Sequence, residues 1–126
     1  MKNFKKLLQL EGTEYYRKHL EIISSVTPIN LTDKEMDVLS QFMGAPSSII
    51  EGDRFNTLVR KLVMKKLKLS SGGLGNYLNS MIKKSVIIKS RTGKLSINPS
   101  LMPEGRDQLY QFRLLKVEPQ NLDADE

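Results

Sequence analysis

The chain has 126 residues, of which 39% are hydrophobic and 27% charged, and a net charge of +6. That length is ample for one globular domain with its own core. Having no Cys, it cannot form disulfides, thiolate metal sites or cysteine nucleophiles, and no apolar run approaches the roughly twenty residues that span a bilayer, so no membrane partner is expected.

The first ten residues start basic but hold too short an apolar stretch before Glu11 for a secretory signal, so the expected location is cytoplasmic. Asn3 is placed to cap a short helix with Phe4, Leu7, Leu8 and Leu10 on its apolar side, interrupted at Gly12. Tyr15, Tyr16, His19, Leu20, Ile22, Ile23 and Val26 then recur at helical spacing until Pro28. Residues 1–30 thus form an expected N-terminal helical extension. Thr32 and Glu35 spell a capping box, in which the Thr hydroxyl accepts an early backbone N–H and the Glu carboxylate reaches back. Met36, Leu39, Phe42 and Met43 follow as one stripe, stopped by Gly44 and Pro46.

Residues 47–52 read as a connector in which Ile49 and Ile50 suit a short strand. Asp53 is the expected cap of a helix to about Leu67, with Phe55, Leu58, Val59, Leu62, Val63 and Leu67 inside and Arg60, Lys61, Lys65, Lys66 and Lys68 in water. After a break at residues 70–73, Leu74, Leu78, Met81 and Ile82 mark a helix over about 71–84. The alternative is a loop to Leu74 and a shorter helix beyond it. From Val86 the period changes: residues 86–90 and 95–99 read as two strands around a turn containing Arg91 and Gly93. Past Pro103, residues 104–126 divide into an apolar segment, 109–117, expected to pack back on the domain, and an acidic tail. The fold class expected is mainly α with a small β-hairpin, an α+β arrangement.

Charge is sorted along this chain. Residues 54–103 contain 11 Lys and Arg and no acid, while the remainder carries 9 basic and 14 acidic residues. Crowded like charges repel and add nothing to folding, so a basic stripe of this kind points to an outside polyanion, with nucleic acid the usual one.

The order helix, helix, short break, helix, hairpin resembles the winged helix-turn-helix family in its MarR-like style, where an extra N-terminal helix precedes the core. Residues 32–43 match the first core helix, 55–67 the second, 69–73 the turn, 74–84 the recognition helix and 86–97 the wing, within a winged-helix core over 31–103. In the segments LTDKEMDVL (31–39), LSINPSLMP (95–103) and LYQFRLL (109–115) the chain also resembles small proteins of tailed, crAss-like phages. The resemblance implies a non-catalytic protein that binds duplex DNA, such as a phage-encoded regulator. A recognition helix needs a small, polar outer face for its approach to base edges. Here that face is Ser71, Gly72, Gly73, Gly75, Asn76, Tyr77, Asn79, Ser80, Lys83 and Lys84; Asn can pair bidentately with adenine. Lys89, Arg91 and Lys94 surround the expected wing and suit phosphate or minor-groove contact. Lys83 and Lys84 also have a ligand-free explanation, since cations favour a helix C-terminus.

Enzymatic groupings are missing from the pattern. His19 is the single histidine and reads as a half-buried packing residue; Asp33, Glu35 and Asp37 diverge on a helix, so no metal site is expected there. The Gly-rich run at 72–75 lacks the Gly-Lys-Ser/Thr of a phosphate loop. No cofactor is expected. The alternative function is structural: a virion connector, ring or assembly component that uses the same fold to dock other subunits, as a homo- or hetero-oligomer located in the virion. Opposite charge on two parts of one chain would permit contact between copies.

Overall fold

The structure, a computed structural model, describes residues 2–119. In chain order it contains α1 (Gly12–Val26), α2 (Asp33–Met43), the single turn α3 (Ser47–Ile50), α4 (Thr57–Leu67), α5 (Ser71–Lys83), β1 (Ile87–Lys89) and β2 (Leu95–Ile97), followed by a 3₁₀ turn at Pro99–Leu101. The two strands pair antiparallel, with Ile87 opposite Ile97 and Lys89 opposite Leu95. The architecture is mainly helical with one small hairpin. No helix among the described residues is long and apolar enough to cross a membrane.

α2 is the hub, packing against α1, α4 and α5. It earns that position by burying nearly its whole circumference: Val38, Leu39 and Phe42 are fully inaccessible, and Met36 and Met43 nearly so. Leu20 of α1, Val59 and Val63 of α4, and Leu74, Leu78 and Met81 of α5 close around it. Each such side chain contributes about 1.5–3 kcal/mol relative to exposure, so this cluster holds the helices together. Gly44, the C-cap of α2, is required by packing: a Cβ there would lie 2.8 Å from Thr13 Cγ2 and 3.2 Å from Thr13 Cα. The capping box forms as read, with Thr32 Oγ1 accepting from Glu35 N and Glu35 Oε1 accepting from Thr32 N at 2.9 Å.

Several expectations are corrected. Residues 2–11 form no helix; Phe4 and Leu7 stand 89% and 82% exposed. A ten-residue helix with no partner is too short to hold itself, and Lys2, Lys5 and Lys6 sit unfavourably beside its N-terminal dipole. Ile49 and Ile50 form a helical turn instead of a strand, ended by left-handed Glu51 (φ 46°) and Gly52 (φ 81°). The cap of α4 is Asn56, three residues beyond Asp53. Arg54 is drawn off to donate to the carbonyls of Phe42 and Met43 at the end of α2, and Phe55 packs on Phe42, so residues 53–55 cannot wind as helix. Asn56 then serves both sides, accepting from Val59 N and donating to Ile49 O and Ile50 O. Leu58, expected inside, is 57% exposed.

The segment 109–117 does not pack back on the domain. Leu109, Phe112, Leu114, Leu115 and Val117 are between 62% and 100% exposed, and no helix or strand forms there. One side chain is tied down: the Tyr110 hydroxyl donates to His19 Nδ1, while His19 Nε2–H donates to Leu101 O at 2.7 Å. His19 is therefore a fully engaged, buried residue. Its pKa is pushed down by burial, against the opposing pull of the Leu101 carbonyl. The acidic tail lies outside the described residues from 120 onward.

Candidate nucleic-acid interface

α5 begins at Ser71 because Ser70 caps it, its hydroxyl accepting from Gly73 N at 3.0 Å. The helix therefore includes the glycines, and the alternative of a loop to Leu74 is set aside. Leu74, Leu78 and Met81 point to the core. Opposite them, Gly72, Asn76, Asn79 and Lys83 recur at i, i+4, i+7 and i+11, and all four are exposed. The result is one straight outward stripe: a small residue, two amides and a cation. Ser71 is exposed at the first turn, and Tyr77 is half-buried, packed against the core.

A Cβ built at Gly72 or at Gly75 would meet nothing within 4 Å. Internal packing therefore does not demand glycine at either position, although glycine inside a helix costs about 1 kcal/mol relative to Ala. At Gly73 the nearest neighbour is the capping hydroxyl of Ser70, 3.2 Å away.

Two of the expected outer residues are turned to a different task. Ser80 Oγ donates to Glu35 Oε2 at 2.7 Å, and Lys84 Nζ donates to Glu35 Oε1 at 2.5 Å and to Asn30 O at 2.6 Å. Lys84 is thus an internal ion-pair partner, which corrects its place in the outer face. Glu35 itself is 1% exposed. Burial alone would raise its pKa, but the bonds from Lys84, Thr32 N–H and Ser80 together hold the carboxyl below the ordinary value.

The hairpin leaves α5 directly. Val86 N bonds back to Met81 O, and Val86 O accepts from Asn98 N, so the end of the helix and the base of the hairpin are one hydrogen-bonded unit. The period-two pattern buries Ile87, Leu95 and Ile97 and leaves Ile88 and Ser96 outside. The tip is closed by Gly93 N to Ser90 O and Ser90 N to Lys94 O, with Gly93 at φ 87°, a conformation suited to glycine. Lys89, Arg91 and Lys94 are all exposed, and Lys94 Nζ donates to Gly52 O at 3.1 Å.

Comparison with protein-family models, with curated proteins and with solved structures finds no match. The geometry alone carries the functional argument. Of the 11 cations in residues 54–103, Lys84 is the one that reaches a carboxylate among the described residues; the other ion pairs involve Arg17 and Lys18 of α1. Lys61, Lys65, Lys66 and Lys68 on α4 and its C-terminus are exposed as expected. No three His, Asp or Glu among the described residues stand together as a metal site. Two open grooves line α1, of about 350 and 450 Å³, and neither includes α5 or the hairpin.

Sequence reasoning read Glu35 as a capping carboxylate, which it is, but missed its bonds to Ser80 and Lys84. A signal was present: Glu35, Val38, Leu39 and Phe42 share one face of α2 at i, i+3, i+4 and i+7, and a carboxylate on an apolar face requires a buried partner.

Proposed function

We propose that this chain is a non-catalytic winged-helix protein that binds duplex DNA, with α5 as the recognition helix and the β1–β2 hairpin as the wing. The observation that carries this reading is the exposed Asn76–Asn79–Lys83 stripe joined, through the backbone hydrogen bonds of Val86, to a hairpin bearing Lys89, Arg91 and Lys94. None of these cations has a carboxylate partner among the described residues. The order of helices and hairpin supports this reading, with the single turn α3 standing where a short strand was expected. In this reading the cations supply most of the affinity by displacing counterions from the phosphates. Asn76 and Asn79 supply base preference through their amides, and Ser71 and Tyr77 border the contact.

The test separates the two roles. Lys89→Ala combined with Arg91→Ala should weaken binding to every duplex sequence alike and flatten the salt dependence by about two phosphate contacts. Asn76→Ala should instead relax preference at one position, worth about 1–3 kcal/mol of discrimination. Fluorescence anisotropy with labelled duplexes reads both, and equal affinity of all variants would refute the reading.

A second reading, a protein-docking component of a larger assembly, is favoured by one observation. Phe4 and Leu7 at one end and Leu109, Phe112, Leu114, Leu115 and Val117 at the other are exposed apolar side chains in segments without regular structure. Solvent rarely faces so much apolar surface without a partner. Light scattering on the eluting protein decides it: higher-order rings with no duplex affinity would favour assembly over gene regulation.

A further inference from the structure

An outward stripe can match base edges only if its helix is held at one angle to the rest of the domain. The contacts of Leu74, Leu78 and Met81 with the core are apolar and carry no direction, so they resist separation better than they resist roll. Directional restraint between α2 and α5 comes from a single side chain among the described residues. Both carboxylate oxygens of Glu35 are committed: Oε2 to Ser80 Oγ, and Oε1 to Lys84 Nζ and to the Thr32 N–H that begins α2. Ser80 and Lys84 lie one turn apart on the same flank of α5, so the carboxylate grips the helix at two heights. Lys84 Nζ extends the grip to Asn30 O, ahead of α2.

We propose that Glu35 is a positioning residue, which fixes the angle of α5 against α2 through Ser80 and Lys84 and thereby sets how sharply the exposed stripe discriminates between base sequences. The proposal rests on the duplex-binding reading of α5. An ion pair with one buried partner adds little net stability compared with apolar packing, and its directional bonds suit a positioning role.

The test uses Glu35→Gln in the full chain. Glutamine retains an oxygen for the Thr32 N–H, and Gln is compatible with a capping box, but it removes the charge opposite Lys84. The binding probe is a duplex selected by the wild-type protein from a random-sequence pool, compared with an unselected duplex. Glu35→Gln should reduce the ratio of the two affinities by roughly tenfold, the scale of one mis-set bidentate contact. The dependence on salt should stay unchanged, because the phosphate contacts are made elsewhere. Gly44→Ala, which strains the opposite end of α2, is the destabilised control and should keep the ratio. Residual dipolar couplings, which need no DNA, should show α5 rotated relative to α2 in Glu35→Gln and returned in Glu35→Gln/Lys84→Gln, where two amides pair again. Ser80→Ala removes one bond only and should repeat the change at smaller amplitude, which keeps the test valid if Glu35→Gln fails to fold. An unaltered helix angle, or an equal loss of discrimination in Gly44→Ala, would overturn the proposal. A rotated helix in a chain whose wild type binds no duplex would overturn the duplex-binding reading and the discrimination built on it, leaving Glu35 as the residue that sets the helix angle.

Discussion

Replacing Gly75 by Ala should make the protein more stable and a poorer DNA binder. Gly75 is the fifth residue of α5, well inside the helix, and a Cβ there meets nothing within 4 Å. The substitution therefore introduces no clash, and it removes the conformational freedom that glycine gives the unfolded chain. The expected gain is about 1 kcal/mol, which for a domain of this size raises the unfolding midpoint by about 4 °C. Gly72 is the second helical residue, where the N–H has no intrahelical partner, so its gain is smaller. In the proposed duplex complex the methyl group of Gly75→Ala would stand where a base edge or phosphate approaches the backbone. The loss in affinity should then be on the order of 1–3 kcal/mol, comparable to one lost bidentate contact. Thermal unfolding followed by circular dichroism gives the first number and duplex titration the second. If Gly75→Ala raised the midpoint and left duplex affinity intact, the glycines would not serve close approach, and the argument from open space around them would fail.

Two further outcomes follow from the packing and the buried ionisable groups. Gly44→Ala should lower stability by about 1–3 kcal/mol, since its Cβ would press on Thr13, and adding Thr13→Ser, which removes Cγ2, should recover part of that loss in urea titrations. Acid should destabilise the fold in two windows. His19 is held below its ordinary 6.5, so the unfolded chain binds a proton there that the folded chain resists, and stability falls as pH drops through 6.5. Glu35 is held below its ordinary 4.5, so its contribution is present above that value and is lost as pH falls beneath it. Urea midpoints across this range should show both losses, and His19→Phe should remove the upper one alone.

The helical parts of this fold were readable because their signals are local and redundant. Thr32 and Glu35 announce the start of α2 by capping chemistry, and the Leu74, Leu78, Met81 spacing marks the inner face of α5. The shift to alternation at Val86 announces the hairpin. Failures fell where a tertiary partner decided the outcome. Asp53 has the chemistry of an N-cap, but Arg54 is recruited to the carbonyls of Phe42 and Met43, which delays α4 to Asn56. Phe4, Leu7, Phe112 and Leu115 look like core residues because side-chain type alone cannot show whether a surface exists to receive them. Of the candidate interface, Asn76, Asn79 and Lys83 could be placed outward from helical periodicity, and Lys89 and Arg91 from their charge at and beside the turn. The inward turn of Lys84 could not, because its partner lies 49 residues earlier in the chain.

The central proposal is that the cations of α4, α5 and the hairpin with no carboxylate partner among the described residues meet phosphates. The most direct measurement is the affinity for a duplex as a function of salt. Lys65, Lys66, Lys68, Lys83, Lys89, Arg91 and Lys94 are exposed and lack carboxylate partners among the described residues. If about six of them engage phosphates, affinity should fall roughly a thousandfold between about 50 and 200 mM salt. An affinity that stays level over that range would contradict it.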